Sequence, residues 1–273
     1  MLRSLSDLEG YSIRATDGTI GHVKDLYFDD EAWVVRYLIV DTGSWLSSRK
    51  VLISPMAIGQ SGWADKTLSV SLTKEQVKNS PDIDTDKPVS RQHEMEYLGY
   101  YGYPYYWGGA GFWGAGVYPS MMVMGIGFAG AADRLGAQAD PARAARHAAQ
   151  HQNDDPHLRG GKAVMKYDIV ASDGDIGHVQ GLLLDEQTWA IRYLIVDTSN
   201  WWLGHQVLIA PKWIKNVSWP DNTVLVNLTR QAVKDAPPYD SAVTLERDEE
   251  IGLHKHYERA GYWADEAKLA RSP

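Results

Sequence analysis

The side chains of this 273-residue chain that could do chemistry come in pairs. His22 is matched by His178, the carboxylates Asp29, Asp30 and Glu31 by Asp185 and Glu186, Asp41 by Asp197, and Arg36 by Arg192. A histidine can serve as a base or a metal ligand, and a run of carboxylates can hold a hard cation. Neither histidine has a cysteine or a Ser, His, Asp pattern near it, so both read as structural or surface residues. Calcium loops need more ligands at stricter spacing, so the acidic cluster reads as a solvated turn. Asp41 and Asp197, each before a threonine, read as turn caps. Asp17-Gly18 and Asp173-Gly174 suit a hairpin turn that needs positive φ, with an anion or metal loop as the alternative. Arg36 and Arg192 sit in otherwise apolar strands, where a charge must find a partner, and an intradomain carboxylate or carbonyl is expected.

Two unpaired histidine groups complete the inventory. His147 and His151 stand at i, i+4 on an Ala-rich stretch that Asp140-Pro141 would start as a helix, a spacing that binds transition metals only weakly. His254, His256 and Glu258 alternate in a segment expected to be helical, where i and i+2 do not share a face. The chain has no cysteine, which excludes disulfides, thiolate metal sites and a cysteine nucleophile. With no nucleophile beside its base, no phosphate loop and no metal quartet, the sequence points away from an enzyme and calls for no cofactor.

The pairing reflects a duplication. Residues 11–42 and 167–198 align without a gap at an offset of 156, with 19 identities in 32 positions. The echo continues through Trp45 and Trp201, Val51-Leu52-Ile53 and Val207-Leu208-Ile209, Trp63 and Trp219, Thr73 and Thr229, Tyr101 and Tyr257, and Trp107 and Trp263. Each copy is about one small domain long. The expected organisation is 1–107 and 163–273 as repeats, each with a helical arm, joined by an unmatched segment, 108–162, that is rich in Gly, aromatics and Met and then polar.

Within a repeat the elements are mostly strands. Ile20 to Phe28 is β-rich behind its turn, and Trp33 to Val40 is apolar on both faces apart from Arg36, as in a closed or well-covered sheet. Val51 to Ser54, the stretch after Pro55, and Thr67 to Leu72 bring the total to five or six strands, the spacing of a small barrel. Thr73 with Gln76 forms a capping box before a short helix, whereas the second copy keeps Thr229 but has Ala232 in place of the reciprocal residue. A further helix is expected around Arg91 to Tyr101 and Arg247 to Tyr257.

The signature DG-x-IG-x-V, an acidic strand end and the strand RYLIVDT together resemble the PRC-barrel superfamily, over residues 1 to about 80 and 157 to about 236. The resemblance implies a mainly β chain of two small barrels in tandem. That superfamily includes the cytoplasmic domain of the photosynthetic reaction centre H subunit and the C-terminal domain of the ribosome maturation factor RimM. It implies a binding or assembly module. By likeness to the H subunit it implies a link to photosynthetic or other membrane complexes, and by likeness to RimM an RNA or ribosome role.

Charge bears on these readings. The net −8 divides into −4 for 1–107, +1 for 108–162 and −5 for 163–273, so no phosphate-neutralising surface is indicated and nucleic acid is an unfavoured partner. Met1 to Ile13 carries no signal-peptide run, and a cytoplasmic location, with possible attachment to the inner membrane, is the expectation. From Tyr97 to Ala132 there is no charged residue. The stretch 110–132 is long enough to span a bilayer, but its glycines and Pro119 leave interfacial docking and a packed linker as alternatives. Tyr105, Tyr106, Trp107, Phe112, Trp113, Tyr262 and Trp263 are the candidate interaction residues. The expected function is protein-binding scaffolding without catalysis. The arms ending at Trp107 and Trp263 are expected to pair the repeats as a pseudo-dimer, with homo-oligomers a further possibility.

Overall fold

The computed structural model describes residues 1–81, 89, 91–107, 111–114, 116–124, 157–198 and 205–264. Fourteen strands are named here in chain order. They are β1 (Leu2–Ser4), β2 (Ser12–Ala15), β3 (Gly18–Asp29), β4 (Val34–Asp41), β5 (Lys50–Ile53), β6 (Ile58–Gly62), β7 (Thr67–Val70), β8 (Leu158–Gly160), β9 (Asp168–Ala171), β10 (Gly174–Asp185), β11 (Ile191–Asp197), β12 (Gln206–Ile209), β13 (Ile214–Ser218) and β14 (Thr223–Val226). They form two seven-stranded sheets of the same order, β5-β4-β3-β2-β7-β6 and β12-β11-β10-β9-β14-β13. The fold is mainly β and barrel-like. Among the described residues no ladder joins β5 to β6 or β12 to β13.

The first hairpin of each sheet turns at Asp17-Gly18 or Asp173-Gly174. Gly18 and Gly174 take φ of 139° and 134°, the freedom only glycine has without strain. The aspartate does more than turn: Asp17 Oδ1 accepts from Lys74 N at 2.8 Å and Asp173 Oδ1 from Arg230 N at 2.7 Å, tying the hairpin to the start of the short helix. The capping box of helix Lys74–Lys78 is complete, with Gln76 N donating to Thr73 Oγ1 at 3.1 Å and Thr73 N to the Gln76 side chain at 2.8 Å. Helix Arg230–Lys234 keeps only the Thr229 half. Thr73→Ala is therefore expected to cost about 1 kcal/mol in urea unfolding, and an unchanged midpoint would contradict the cap's role.

Gly21 lies where β3 crosses β4 most closely. A methyl group there would stand 1.9 Å from Asp41 O, and at the matching Gly177 it would stand 1.9 Å from Asp197 O. Gly21→Ala must push the two strands apart, so a loss of about 2–3 kcal/mol is expected by chemical denaturation.

Every residue of β4 from Val34 to Val40 is buried, as the two-sided apolar pattern required. Two compact units share the chain, and neither is a contiguous stretch of sequence. The first unit is Asp7–Gly160 with Gln187–Ala190, and the second is Met1–Ser6 with Gly161–Glu186 and Ile191–Pro273. Consequently β8, which lies inside the 108–162 segment and leads into the second repeat, is a strand of the first unit's sheet. It pairs antiparallel with β3 as Leu158↔Asp29, Arg159↔Phe28 and Gly160↔Tyr27. Reciprocally, β1 leads into the first repeat and is a strand of the second unit's sheet, pairing with β10 as Leu2↔Asp185, Arg3↔Leu184 and Ser4↔Leu183. Met1 to Ser4 and His157 to Gly160 are the same repeat positions, so each unit's sheet includes the strand that leads into the other repeat.

The arms are helical as expected, Arg91–Tyr101 and Arg247–His256. Tyr97 fastens the first to its barrel, its hydroxyl donating to Leu52 O at 3.0 Å and accepting from Ser54 N at 3.1 Å. The proposed helix at Asp140 with His147 and His151, the connector 133–156, residues 125–132 and Trp201 lie outside the described residues.

Candidate functional site

The polar side chains that repeat inside the barrels gather around a buried glutamate in each unit. It starts from a strand irregularity. In the ladder of β3 and β4, Tyr27 faces Tyr37 but Phe28 faces Val35, so Arg36 is the extra residue of a bulge. In β10 and β11, Leu183 faces Tyr193 and Leu184 faces Ile191, which makes Arg192 the same extra residue. A bulge re-aims the side chain it carries. The guanidinium is thereby turned onto a carboxylate across the hairpin: Arg36 Nη2 donates to Asp29 Oδ2 at 3.0 Å, and Arg192 Nη2 to Asp185 Oδ2 at 3.0 Å. Arg36 is 3% exposed and Arg192 5%. The expected intradomain partner is thus a carboxylate in both copies.

The acidic cluster is a solvated turn only at Glu31, which is exposed, because Asp29, Asp30, Asp185 and Glu186 each have a cationic partner. Asp29 is buried, its Oδ1 accepts from Glu31 N and Ala32 N at 3.1 Å each, and it closes the β3–β4 turn while holding Arg36. Burial pushes its carboxyl up, but Arg36 and the Ala32 amide outweigh that and hold it below its ordinary value. Asp30 pairs with Arg159 at 2.8 Å and Glu186 with Arg3, so these two fasten the exchanged strands. Burial raises the Asp30 carboxyl despite Arg159.

Next to the guanidinium lies the carboxylate. Glu94, 0% exposed on the first arm helix, accepts from Tyr37 Oη at 3.2 Å and from Tyr106 Oη, and pairs through Oε2 with Arg91 at 3.1 Å and His157 at 3.3 Å. Glu250, 3% exposed, accepts from Tyr193 Oη and Tyr262 Oη at 2.9 Å each and pairs with Arg247 at 2.8 Å. The rings of Tyr106 and Tyr262 also cover the guanidinium, with Arg36 Cζ 3.8 Å and Arg192 Cζ 3.9 Å from their centroids. Cation, aromatic face, phenol and carboxylate thus stack into one column twice over. Burial, and then the neighbouring glutamate, raises the Tyr37, Tyr106, Tyr193 and Tyr262 hydroxyls, so all four stay protonated and donate. A carboxylate held by two neutral phenols and paired with a guanidinium is a structural clamp.

Several candidate interaction residues belong to this clamp. Tyr106, Trp113 and Tyr262 are buried, while Tyr105, Trp107, Phe112 and Trp263 are half-buried. Phe112 O accepts from Arg36 Nη1 at 2.5 Å, and Trp113 Nε1 donates to Thr188 O at 2.8 Å. A buried ring cannot meet a partner without opening its unit, so Tyr106, Trp113 and Tyr262 act in the core. The first part of the uncharged segment is accordingly folded onto the first unit. No helix among the described residues is long and apolar enough to cross a membrane. Among the described residues of that segment, Tyr100 and Tyr118 are the most exposed aromatics, at 42% and 39%.

The remaining sequence candidates are accounted for locally. His22 is exposed and His178 half-buried on their strands. Asp41 caps its turn by accepting from Gly43 N at 2.8 Å. His254 and His256 do not converge: His254 faces Tyr193 Oη at 3.0 Å, and His256 faces Ala232 O at 2.8 Å. Among the described residues no three His, Cys, Asp or Glu side chains are grouped to hold a metal ion.

The copies differ where His254 stands in place of Leu98. Burial lowers the His254 imidazole below its ordinary value of 6.5, with the Ala260 and Arg259 carbonyls opposing. A histidine that charges less readily folded than unfolded gives full stability above 6.5, and stability falls as pH drops through that value. His254→Leu is expected to remove that loss. Unfolding midpoints at pH 7.5 and 5.5, read as the difference between variant and wild type, check it.

Sequence reasoning missed Glu94 and Glu250, Arg91 and Arg247, and Tyr37 and Tyr193 as members of a site. The signal was present, since Arg-x-x-Glu recurs at the 156 offset inside each expected arm helix.

With the architecture in view, the comparison with known families is direct: residues 2–65 match the PRC-barrel domain. Residues 2–65, from β1 to β6, thus carry a PRC-barrel domain. An uncharacterized protein of Deinococcus radiodurans is 36% identical over 73 residues, which is 27% of this chain and 26% of that protein. The match thus spans about a quarter of that relative. Strand order, bulge and clamp recur in the second repeat.

Proposed function

We propose that this tandem PRC-barrel protein is a non-enzymatic scaffold that binds other proteins into an assembly. The observation that supports the reading is the clamp itself: Asp29, Arg36 and Glu94 with their counterparts, the paired charged groups within the barrels and arms, are engaged with partners inside their own units. A catalyst keeps such groups facing substrate. The acidic balance of both repeats favours basic protein surfaces over nucleic acid as the partner. Assembly of a membrane-bound complex, which the resemblance to the reaction-centre H subunit implies, is the narrower form of this reading.

Exposed Tyr100 and Tyr118 favour a second reading, peripheral docking at a membrane, because tyrosine partitions to the interface. One experiment separates them. The full chain is affinity-purified from the soluble and membrane fractions of its own cells after mild crosslinking, and stoichiometries are measured. The scaffold reading expects a defined protein at fixed ratio in either fraction. Recovery of the chain alone from the soluble fraction overturns it, and release from membranes by Tyr100→Ser with Tyr118→Ser supports the second reading.

A further inference from the structure

We propose that the β10 edge of the second unit accepts the Leu2–Ser4 strand of a second copy of this chain, so that two copies pair by reciprocal strand exchange. The proposal is independent of the scaffold reading. The docking site is well defined: three antiparallel pairs from Leu2↔Asp185 to Ser4↔Leu183, a flanking bond from Glu186 N to Met1 O at 3.1 Å, and an ion pair between Arg3 and Glu186. The first unit makes the same site from other sequence, with Asp30 N donating to His157 O at 2.9 Å and Arg159 paired with Asp30 at 2.8 Å.

What both sites recognise is a short Leu-Arg-small strand and its guanidinium. Neither site takes the segment that leads directly into its own barrel, since β1 leads into the first repeat and β8 into the second. Recognition therefore does not depend on chain continuity, and a strand arriving from another molecule presents identical groups. The chain passes from the second unit to the first at Ser6 and Asp7, within the short helix Leu5–Leu8 that follows the strand. Tethering favours the strand of the same chain, with an effective concentration of roughly millimolar. Pairing of two copies closes the same contacts twice and becomes populated as protein concentration approaches that value.

The test uses two full-length variants, Arg3→Glu and Glu186→Arg. Within either variant like charges meet at the site, so its own strand is disfavoured. Between them both exchanged strands meet an opposite charge. Each variant alone is expected to be monomeric with a lowered melting temperature. Their mixture, warmed and cooled, is expected to have twice the mass by light scattering and a recovered melting temperature. The double variant Arg3→Glu/Glu186→Arg is expected to recover as a monomer, which shows that neither change spoils the fold. A mixture that remains monomeric while the double variant recovers overturns the proposal.

Because the chain has no cysteine, a second measurement is available whatever the charge variants do. Ser4→Cys on one copy and Leu183→Cys on another join register partners. A disulfide between copies supports exchange. Its absence, when the two cysteines in one chain do crosslink, overturns it.

Discussion

Arg36→Met lowers stability by about 3–5 kcal/mol, because the change strands a buried Asp29 without its cation. For a unit of this size that is a fall of roughly 10 °C in melting temperature. Methionine nearly fills the space of the arginine stem, so the loss is one of charge pairing and hydrogen bonds to Asp29 and Phe112 O. The signature is its rescue: adding Asp29→Asn keeps an acceptor for the Glu31 and Ala32 amides, removes the uncompensated charge, and should restore part of the loss. Acid supplies the same test without a second substitution. In the wild type the Asp29 carboxyl lies below its ordinary value of 3.8, so its stabilisation is complete above that value and is lost as pH falls through the lower folded value. The gap between wild type and Arg36→Met should therefore narrow as pH drops below 3.8. A constant gap, or no rescue by Asp29→Asn, would place the loss in packing.

Glu94→Leu is the second large effect. It removes the acceptor of two buried phenols, Tyr37 and Tyr106, and the partner of Arg91 and His157. Each buried polar group left unsatisfied costs about 1–3 kcal/mol, so a total of roughly 3–5 kcal/mol is expected. Glu250→Leu orphans Tyr193 and Tyr262 in the same way, yet Arg247 is half exposed and regains water. The order of destabilisation should be Glu94→Leu greater than Glu250→Leu. Urea unfolding with probes in each unit reads both, and the reverse order would contradict the assigned role of the surrounding cations.

Local chemistry was legible in the sequence. Asp17-Gly18, Thr73 with Gln76 and the two-sided strand at Val34–Val40 are decided by interactions within a few residues, and each behaves as the sequence indicates. The need of Arg36 for a partner was legible too, but not the identity of that partner. Asp29 becomes its neighbour only through a bulge that shifts the hairpin register, and nothing in the residues at 27 and 28 announces one. For the same reason Asp29, Asp30 and Glu31 read as a solvated run when taken alone. The cations of Asp29 and Asp30 arrive from β4 and from β8, the latter some 130 residues later in the chain.

The exchanged strands were hidden more deeply. A three-residue segment such as Leu-Arg-Ser carries no period, and which edge it joins is decided by tertiary pairing. The aromatic arms show the converse limit. Tyr106 and Tyr262 stood out as sticky rings, but an amphipathic ring serves a partner or a core equally well. The deciding fact is a buried glutamate 12 residues earlier in each copy.

The central claim is that the duplicated column of arginine, tyrosine and glutamate is a sealed clamp. The most direct measurement is a spectrophotometric titration of the chain's 15 tyrosines to phenolate. The clamp predicts that Tyr37, Tyr106, Tyr193 and Tyr262 ionise only as their units unfold at alkaline pH, as a phase separate from any reversible ionisation in the folded protein. A single reversible phase that ionises all 15 in the folded chain would contradict it.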